Sequence, residues 1–208
     1  MAISSLSKLG VPLDGNQSAG NQGLLMPKLQ YRFRVLFQNF GVSKPTTELT
    51  KQVISSTRPS PEFDEITLDV YNSRVKLAGK PKWGDISIIV RDDASGAVSK
   101  LVGEQIQKQF DFFEQSSAAS GIDYKFVTQI EILDGGNGAF APTVLETFEL
   151  DGCYVKKAEY KQAEYKTSEA MDITLTVAYD NAVQVNTTGT PNGIGTNVGR
   201  TIRSLATG

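Results

Sequence analysis

The stretch whose reading decides the fold runs from Ile66 to Asp93, ITLDVYNSRVKLAGKPKWGDISIIVRDD. Ile66, Leu68 and Val70 alternate with Thr67, Asp69 and Tyr71, and Ile86, Ile88 and Val90 repeat the pattern before Arg91-Asp92-Asp93. A period of two sends successive side chains to opposite faces, so each run reads as a strand with one apolar face. The same geometry places Arg74 and Lys76 on one face and Val75 and Leu77 on the other.

The period continues on both sides of this stretch. Leu29, Tyr31, Phe33, Val35 and Phe37 form one run. Tyr124, Phe126, Thr128, Ile130 and Ile132 form a second, ended by Asp134-Gly135-Gly136-Asn137-Gly138, and Met171, Ile173, Leu175, Val177 and Tyr179 form a third. Shorter strands are expected near 50–56, 74–78, 144–150 and 154–160. Antiparallel sheets with one solvated face produce such alternation. One segment differs. Val98, Leu101, Val102, Ile106, Phe110 and Phe113 trace a helical stripe. Asp92, Asp93 and Ser95 offer capping and negative charge at the positive end of the helix dipole. This predicts a helix over 95–115 with its Phe-rich face packed on a sheet. The expected fold class is mainly β with one substantial α-helix.

The ends read differently. Residues 1–28 carry Gly10, Gly15, Gly20 and Gly23 among Ser, Asn and Gln, and 183–208 carry only Arg200 and Arg203 as charges. Neither end buries enough apolar surface alone to offset the entropy of ordering. The expected organisation is an N-terminal arm (1–28), a β body (29–182) and a C-terminal arm (183–208).

Composition narrows the chemistry. The 208 residues include 21 basic and 23 acidic side chains, no histidine, and Cys153 as the single cysteine. Net charge near zero argues against bulk attraction to nucleic acid or anionic membrane as the organising principle. Absence of histidine excludes Ser-His-Asp and Cys-His machinery and His-ligated zinc. A lone cysteine excludes an internal disulfide, and a reducing, cytoplasm-like compartment fits. There is no apolar run long enough for a signal-peptide core or a membrane span. The expectation is a non-enzyme with no cofactor, no metal and no catalytic residue.

Individual motifs support this. GIGTNVG (193–199) has three residues where a dinucleotide fingerprint needs two, and the loop at 134–138 lacks the Lys and Ser/Thr of a phosphate loop. Asp64-Glu65, Asp92-Asp93 and Asp85 read as strand and helix ends rather than a carboxylate pair converging in a cleft. Asn186-Thr187-Thr188 is a glycosylation sequon without meaning unless the chain is secreted. AEYKQAEYK (158–166) reads as a charged strand edge or subunit contact. Cys153 reads as a small filler. A competing reading is a β-sandwich carbohydrate-binding module that stacks sugars on Trp83, Tyr71, Tyr160 and Tyr165. A third is a hydrolase built on paired carboxylates.

The ordered series is more informative than any motif. A strand ending in Tyr71-Asn72, then Arg74 and Lys76, then Ala78-Gly79-Lys80, an aromatic, a strand ending in Asp92-Asp93 and the 95–115 helix resembles the tail tube proteins of contractile-tailed bacteriophages. The resemblance continues through the strand near 124–133, FELDGCYV (148–155) and EAMDITLTVAYDNA (169–182). It implies two packed antiparallel sheets in a barrel-like protomer. It further implies hexameric rings stacked into a tube, sheath, baseplate and terminator proteins as partners, and DNA passing through the lumen without sequence-specific binding. Localisation in a virion tail, assembled in the host cytoplasm, follows from it too. A tube-initiating baseplate protein, or a secretion-system tube protein of the same fold, is the near alternative. By the same resemblance Asp69, Asn72, Arg74 and Lys76 are candidates for a lumen or inter-subunit hairpin. Lys44, Glu48, Arg58 and Glu62 are candidates for ring-to-ring contact. Lys100, Glu104 and Lys108 are candidates for a helix face turned to the sheath.

Overall fold

The computed structural model describes residues 27–43, 46–135, 141–166, 168–186, 191 and 193–196. In chain order these form β1 (Phe33–Gln38), α1 (Thr47–Gln52), β2 (Val53–Ser56), β3 (Pro61–Val70), β4 (Ser73–Trp83), β5 (Ile86–Arg91), α2 (Ala97–Gln109), β6 (Phe110–Asp111), β7 (Ser116–Ser117), α3 (Gly121–Tyr124), β8 (Phe126–Leu133), β9 (Val144–Tyr160), β10 (Asp172–Ala178) and β11 (Asn181–Val185). Apart from residues 27–28, the expected N-terminal arm lies outside the described residues, as does most of the C-terminal one. The sheet runs on to Val185, past the expected body boundary at 182.

The pairing is antiparallel throughout, in the order β1-β8-β9-β10-β5-β2, with β11 also on β9. The alternation in sequence explains why. In β10, Ile173, Leu175 and Val177 point inward between half-buried Thr174 and Thr176, and Ile86, Ile88 and Val90 of β5 do the same opposite them. β9 spans the two expected strands 144–150 and 154–160 as one element of 17 residues. Its first half pairs with β8 and β11 and its second half with β10. Near Gly152, at φ 67°, the register on β8 steps from Thr128↔Leu150 to Phe126↔Cys153. A bulge with a left-handed residue bends a strand between two sheet directions, and glycine takes that φ without steric penalty.

The core lies between the two sheet halves. Val35, Phe37, Phe126, Ile130, Leu150, Val90, Ile173 and Leu175 are buried there, and Val98, Leu101 and Val102 of α2 close it. Phe40 packs edge-on against Phe126 at 4.9 Å. The strand path ends at β1 and β2, which approach each other without pairing, so the barrel stays open on that side.

The helix differs from expectation at its end. α2 stops at Gln109, where the backbone turns extended at Phe110, and the Gln109 side chain reaches across to strand β9. Its amide donates to the Val155 carbonyl at 2.9 Å and accepts from the Val155 N–H at 2.9 Å, standing in for a missing strand. The chain then turns outward. Phe110 is half-buried and Phe113 is 93% exposed, so the Phe-rich stripe does not pack on the sheet to its end. At the other end, Asp93 accepts from the Val98 N–H at 3.2 Å and from the Ser95 hydroxyl, and these bonds, the hydroxyl's first, hold its carboxyl below the usual range.

Candidate assembly surfaces

The β2–β5 ladder does not end at the sheet. Thr57 N–H donates to Ser87 O at 3.0 Å and Gly84 N–H to Ser60 O at 3.1 Å, which carries the pairing on into β3 and β4. The hairpin is therefore the edge of the sheet prolonged beyond it. Every residue of β3 is exposed, and in β4 only Gly79 and Trp83 are partly covered. At its root Trp83 packs on Tyr179 with ring centroids 5.7 Å apart, and Pro59 is buried.

Register sorts the hairpin into two unlike faces. Ile66 opposes Leu77 and Leu68 opposes Val75, so these four with Val70 make one aliphatic face, each 45–52% exposed. Thr67 opposes Lys76 and Asp69 opposes Arg74 on the other face. There Arg74 Nε meets Asp69 Oδ1 at 2.8 Å and Lys76 Nζ meets Glu65 Oε2 at 3.0 Å. Gly79 and Lys80 form a bulge opposite Asp64, where a Cβ on Gly79 would meet the Asp64 carbonyl oxygen at 2.8 Å. The tip is Tyr71-Asn72, with Tyr71 at φ 45° and its side chain fully exposed. A non-glycine residue in that region is strained, and such strain clusters where a side chain has work outside the fold.

The candidate residues separate into groups. Asp69, Asn72, Arg74 and Lys76 come together in the outer half of the hairpin, as its polar face and tip. The ring-to-ring candidates do not converge. Glu48 pairs with Lys51 on α1 at 2.8 Å, Glu62 opposes Lys82 on the hairpin, Arg58 lies on the connection between β2 and β3, and Lys44 is outside the described residues. On α2, Lys100 is exposed, 3.8 Å from Glu104. Glu104 is turned inward to the 41–43 loop, accepting from Val42 N–H, Ser43 N–H and the Ser43 hydroxyl, and Lys108 donates to the Asn39 carbonyl at 3.2 Å. These two are fold-holding contacts that side-chain spacing along a helix does not reveal.

Chemistry is sparse elsewhere. Asp85 is tied to Lys156 at 2.6 Å, and among the described residues no three His, Cys, Asp or Glu side chains group as a metal site would require. Cys153 is buried, and desolvation pushes its thiol up to about 11. Trp83 is partly buried against Tyr179, which removes it from the proposed sugar-stacking set, while Tyr71, Tyr160 and Tyr165 are exposed on separate loops and strand ends. Residues 193–196 of GIGTNVG form a turn beside β11, with Gln184 N–H donating to Ile194 O at 2.8 Å, and 197–199 lie outside the described residues. Of the 134–138 loop only Asp134 and Gly135 are described. Among the described residues no helix is long and apolar enough to cross a membrane.

No protein-family model and no curated protein sequence matches the chain. Solved structures do. A chain of the anti-feeding prophage tube-terminating cap aligns over 81% of this chain and 97% of its own length at TM-score 0.59 and 13% identity. A chain of the anti-feeding prophage baseplate aligns over 79% and 99% at TM-score 0.57 and 12% identity. A chain of the sheath-tube complex of an extracellular contractile injection system, PVC, aligns over 77% and 92% at TM-score 0.54 and 14% identity. The chain therefore has the tube-like fold found in contractile injection systems, mainly β in antiparallel sheets with a substantial helix.

Proposed function

We propose that this chain is a structural subunit of the inner tube of a contractile tail. It assembles as hexameric rings that stack into the conduit for DNA. The observation that carries the reading is the projecting hairpin, whose aliphatic face of Ile66, Leu68, Val70, Val75 and Leu77 is uncovered in the single chain. Covering half-exposed aliphatic side chains contributes on the order of 1 kcal/mol each, so such a face is a site for another protein surface.

Sheet topology supports closure of copies into a ring. The β2-β5-β10-β9 portion has four strands, and its two outer strands run in opposite directions because every pairing is antiparallel. Copies placed side by side in one orientation then meet antiparallel at each join, and a closed ring leaves no free edge. On this reading the face bearing Asp69, Arg74 and Lys76 lines the lumen. Its basic groups are already neutralised by Asp69 and Glu65, so the lining passes DNA without holding it. The sheath runs along the outside, past Lys100 of α2, and baseplate and terminator proteins close the two ends. Residence is in the tail of a virion, with assembly in the host cytoplasm, and there is no catalytic role.

A second reading rests on the comparison itself. The matches to cap and baseplate chains, at TM-scores 0.59 and 0.57, stand beside the sheath-tube match at 0.54. That favours an initiating or terminating ring of the same fold as the alternative, in a phage or in a secretion system.

Electron microscopy of the purified protein over a concentration series tests both. Hollow rods of uniform width support the tube subunit, and single rings that never stack support the initiating or terminating ring. Compact monomers at every concentration, with and without added tube ends, would overturn the assembly reading.

A further inference from the structure

Two features outside the hairpin fit each other. The first is a groove of about 680 Å³ where the barrel stays open between β1 and β2. Its lining mixes apolar Phe33, Val53 and Ile54 with polar Gln30, Ser55 and Ser56, and among its lining residues the charged ones are Lys28 and Arg58, both basic. Lys28 is already paired with Glu146, which leaves Arg58 as the cation at the rim.

The second is the turn between β6 and β7, which holds Phe112 58% and Phe113 93% exposed. This turn is tightly built. Asp111 Oδ1 accepts from the Phe113 N–H at 2.9 Å, the Glu114 N–H at 3.2 Å and the Gln107 side chain at 2.8 Å. The Gln115 side chain donates to the Phe112 carbonyl at 2.7 Å, and Phe110 packs edge-on to Phe112 at 5.2 Å. Two aromatic rings are thus held out to solvent by a pre-ordered loop, with the exposed carboxylate of Glu114 beside them. Rigid exposed aromatics are the usual anchors of protein interfaces, because ordering them on binding costs little.

The turn and the groove cannot meet within one chain. The turn follows Gln109, which is bonded to Val155 near the Phe126 end of β8, whereas the groove lining includes Ile132 at the other end of that strand. An eight-residue strand separates them by roughly 20 Å. We propose that the Phe112–Phe113 turn of one copy docks in the β1–β2 groove of a second copy, head to tail, with Glu114 meeting Arg58. The partner is a second copy because the turn offers exposed rings with a carboxylate, and the groove offers a partly apolar recess with a guanidinium, so the two complement each other across copies. Such a contact is heterologous, the kind that generates rings or stacks rather than two-fold pairs.

Disulfide trapping tests this. Phe113→Cys and Ile54→Cys, one on the turn and one on the groove, are made separately, and native Cys153 is buried and does not compete. Mild oxidation of the 1:1 mixture is expected to give a covalent dimer that neither variant gives alone. Phe113→Cys dimerising with itself as readily as the mixture does, or no dimer from the mixture, overturns the proposal. In parallel, Arg58→Glu is expected to weaken self-association by about tenfold and Glu114→Arg to restore it in the double variant. Failure of that restoration removes the Glu114–Arg58 pairing. Trapping without rods or rings in the microscope would sink the tube reading and leave this contact standing.

Discussion

Ser43 is tied to Glu104 twice, by its backbone N–H at 2.7 Å and its hydroxyl at 2.6 Å. With the Val42 N–H at 2.9 Å, these bonds, the Ser43 hydroxyl's first, hold the Glu104 carboxyl down at about 2 against an ordinary 4.5. The carboxylate satisfies three donors of the 42–43 loop and ties the chain after β1 to α2.

That arrangement has a pH signature. A carboxyl depressed in the folded state stabilises fully above its unfolded value and loses that contribution as pH falls from 4.5 towards 2. Glu104→Ala is expected to lower stability by roughly 2 kcal/mol at pH 7, the worth of charge-assisted bonds at a partly buried site. The difference from wild type, read by urea denaturation, should shrink steadily between pH 4.5 and pH 2.5. A gap that does not change over that range would show the bonds to be unimportant.

Cys153 gives a second test with the opposite sign. Burial raises the thiol to about 11 from 9.0, so at pH 8 the folded protein holds roughly a hundredfold less thiolate than an open chain. A thiol reagent should react with the native protein at least about a hundredfold more slowly than with the urea-unfolded one. The raised thiol also means that stability declines as pH rises through 9 towards 11, since the unfolded chain ionises first. Equal reaction rates in the two states would overturn the buried placement.

The hairpin separates fold from assembly. Leu68→Ser with Val75→Ser removes half of a cross-strand aliphatic pair on each strand, yet both side chains are already about half exposed. Body stability should move by less than about 0.5 kcal/mol, as for surface changes, while self-association measured by sedimentation is lost. Unchanged assembly would mean that the aliphatic face is not a subunit contact.

How far the sequence foretold this depends on what covers each face. In β5, β8 and β10 the alternation faces this chain's own core, so Ile88, Ile130 and Leu175 were legible as buried positions. Ile66, Leu68 and Val70 alternate in the same way, but their apolar side faces nothing in the single chain. Period two reveals that a strand has one apolar face and says nothing of whether the covering surface is local. Phe110 and Phe113 continue the helical spacing of Val98, Leu101 and Val102, and spacing alone extends the helix through them. The helix ends where Phe110 turns extended and Gln109 bonds to a residue 46 positions away, a contact that no local pattern encodes. The turns of Glu104 to the 41–43 loop and of Lys108 to Asn39 are non-local in the same sense. That Arg74 and Lys76 share one face of their strand and Val75 and Leu77 the other was legible, because two-residue periodicity fixes it, whereas their partners across the hairpin come from the register.

The Gln109–Val155 contact is itself open to test. Beyond Cys153 the strand β9 has no β8 neighbour, and the Gln109 amide supplies the donor and acceptor that a neighbouring strand would have given Val155. Gln109→Leu keeps the bulk and removes both bonds, leaving one backbone N–H and one carbonyl without their partner in a half-covered site. An unmet buried group costs about 1–3 kcal/mol, so the substitution is expected to destabilise by roughly 2 kcal/mol, with some of the loss relieved by water. The local readout is sharper than the global one. Amide exchange at Val155 should accelerate while exchange at Ile173 and Leu175, paired on both sides within the sheet, stays slow. Acceleration spread evenly over β9 and β10 would show that the amide merely supports packing and does not stand in for a strand.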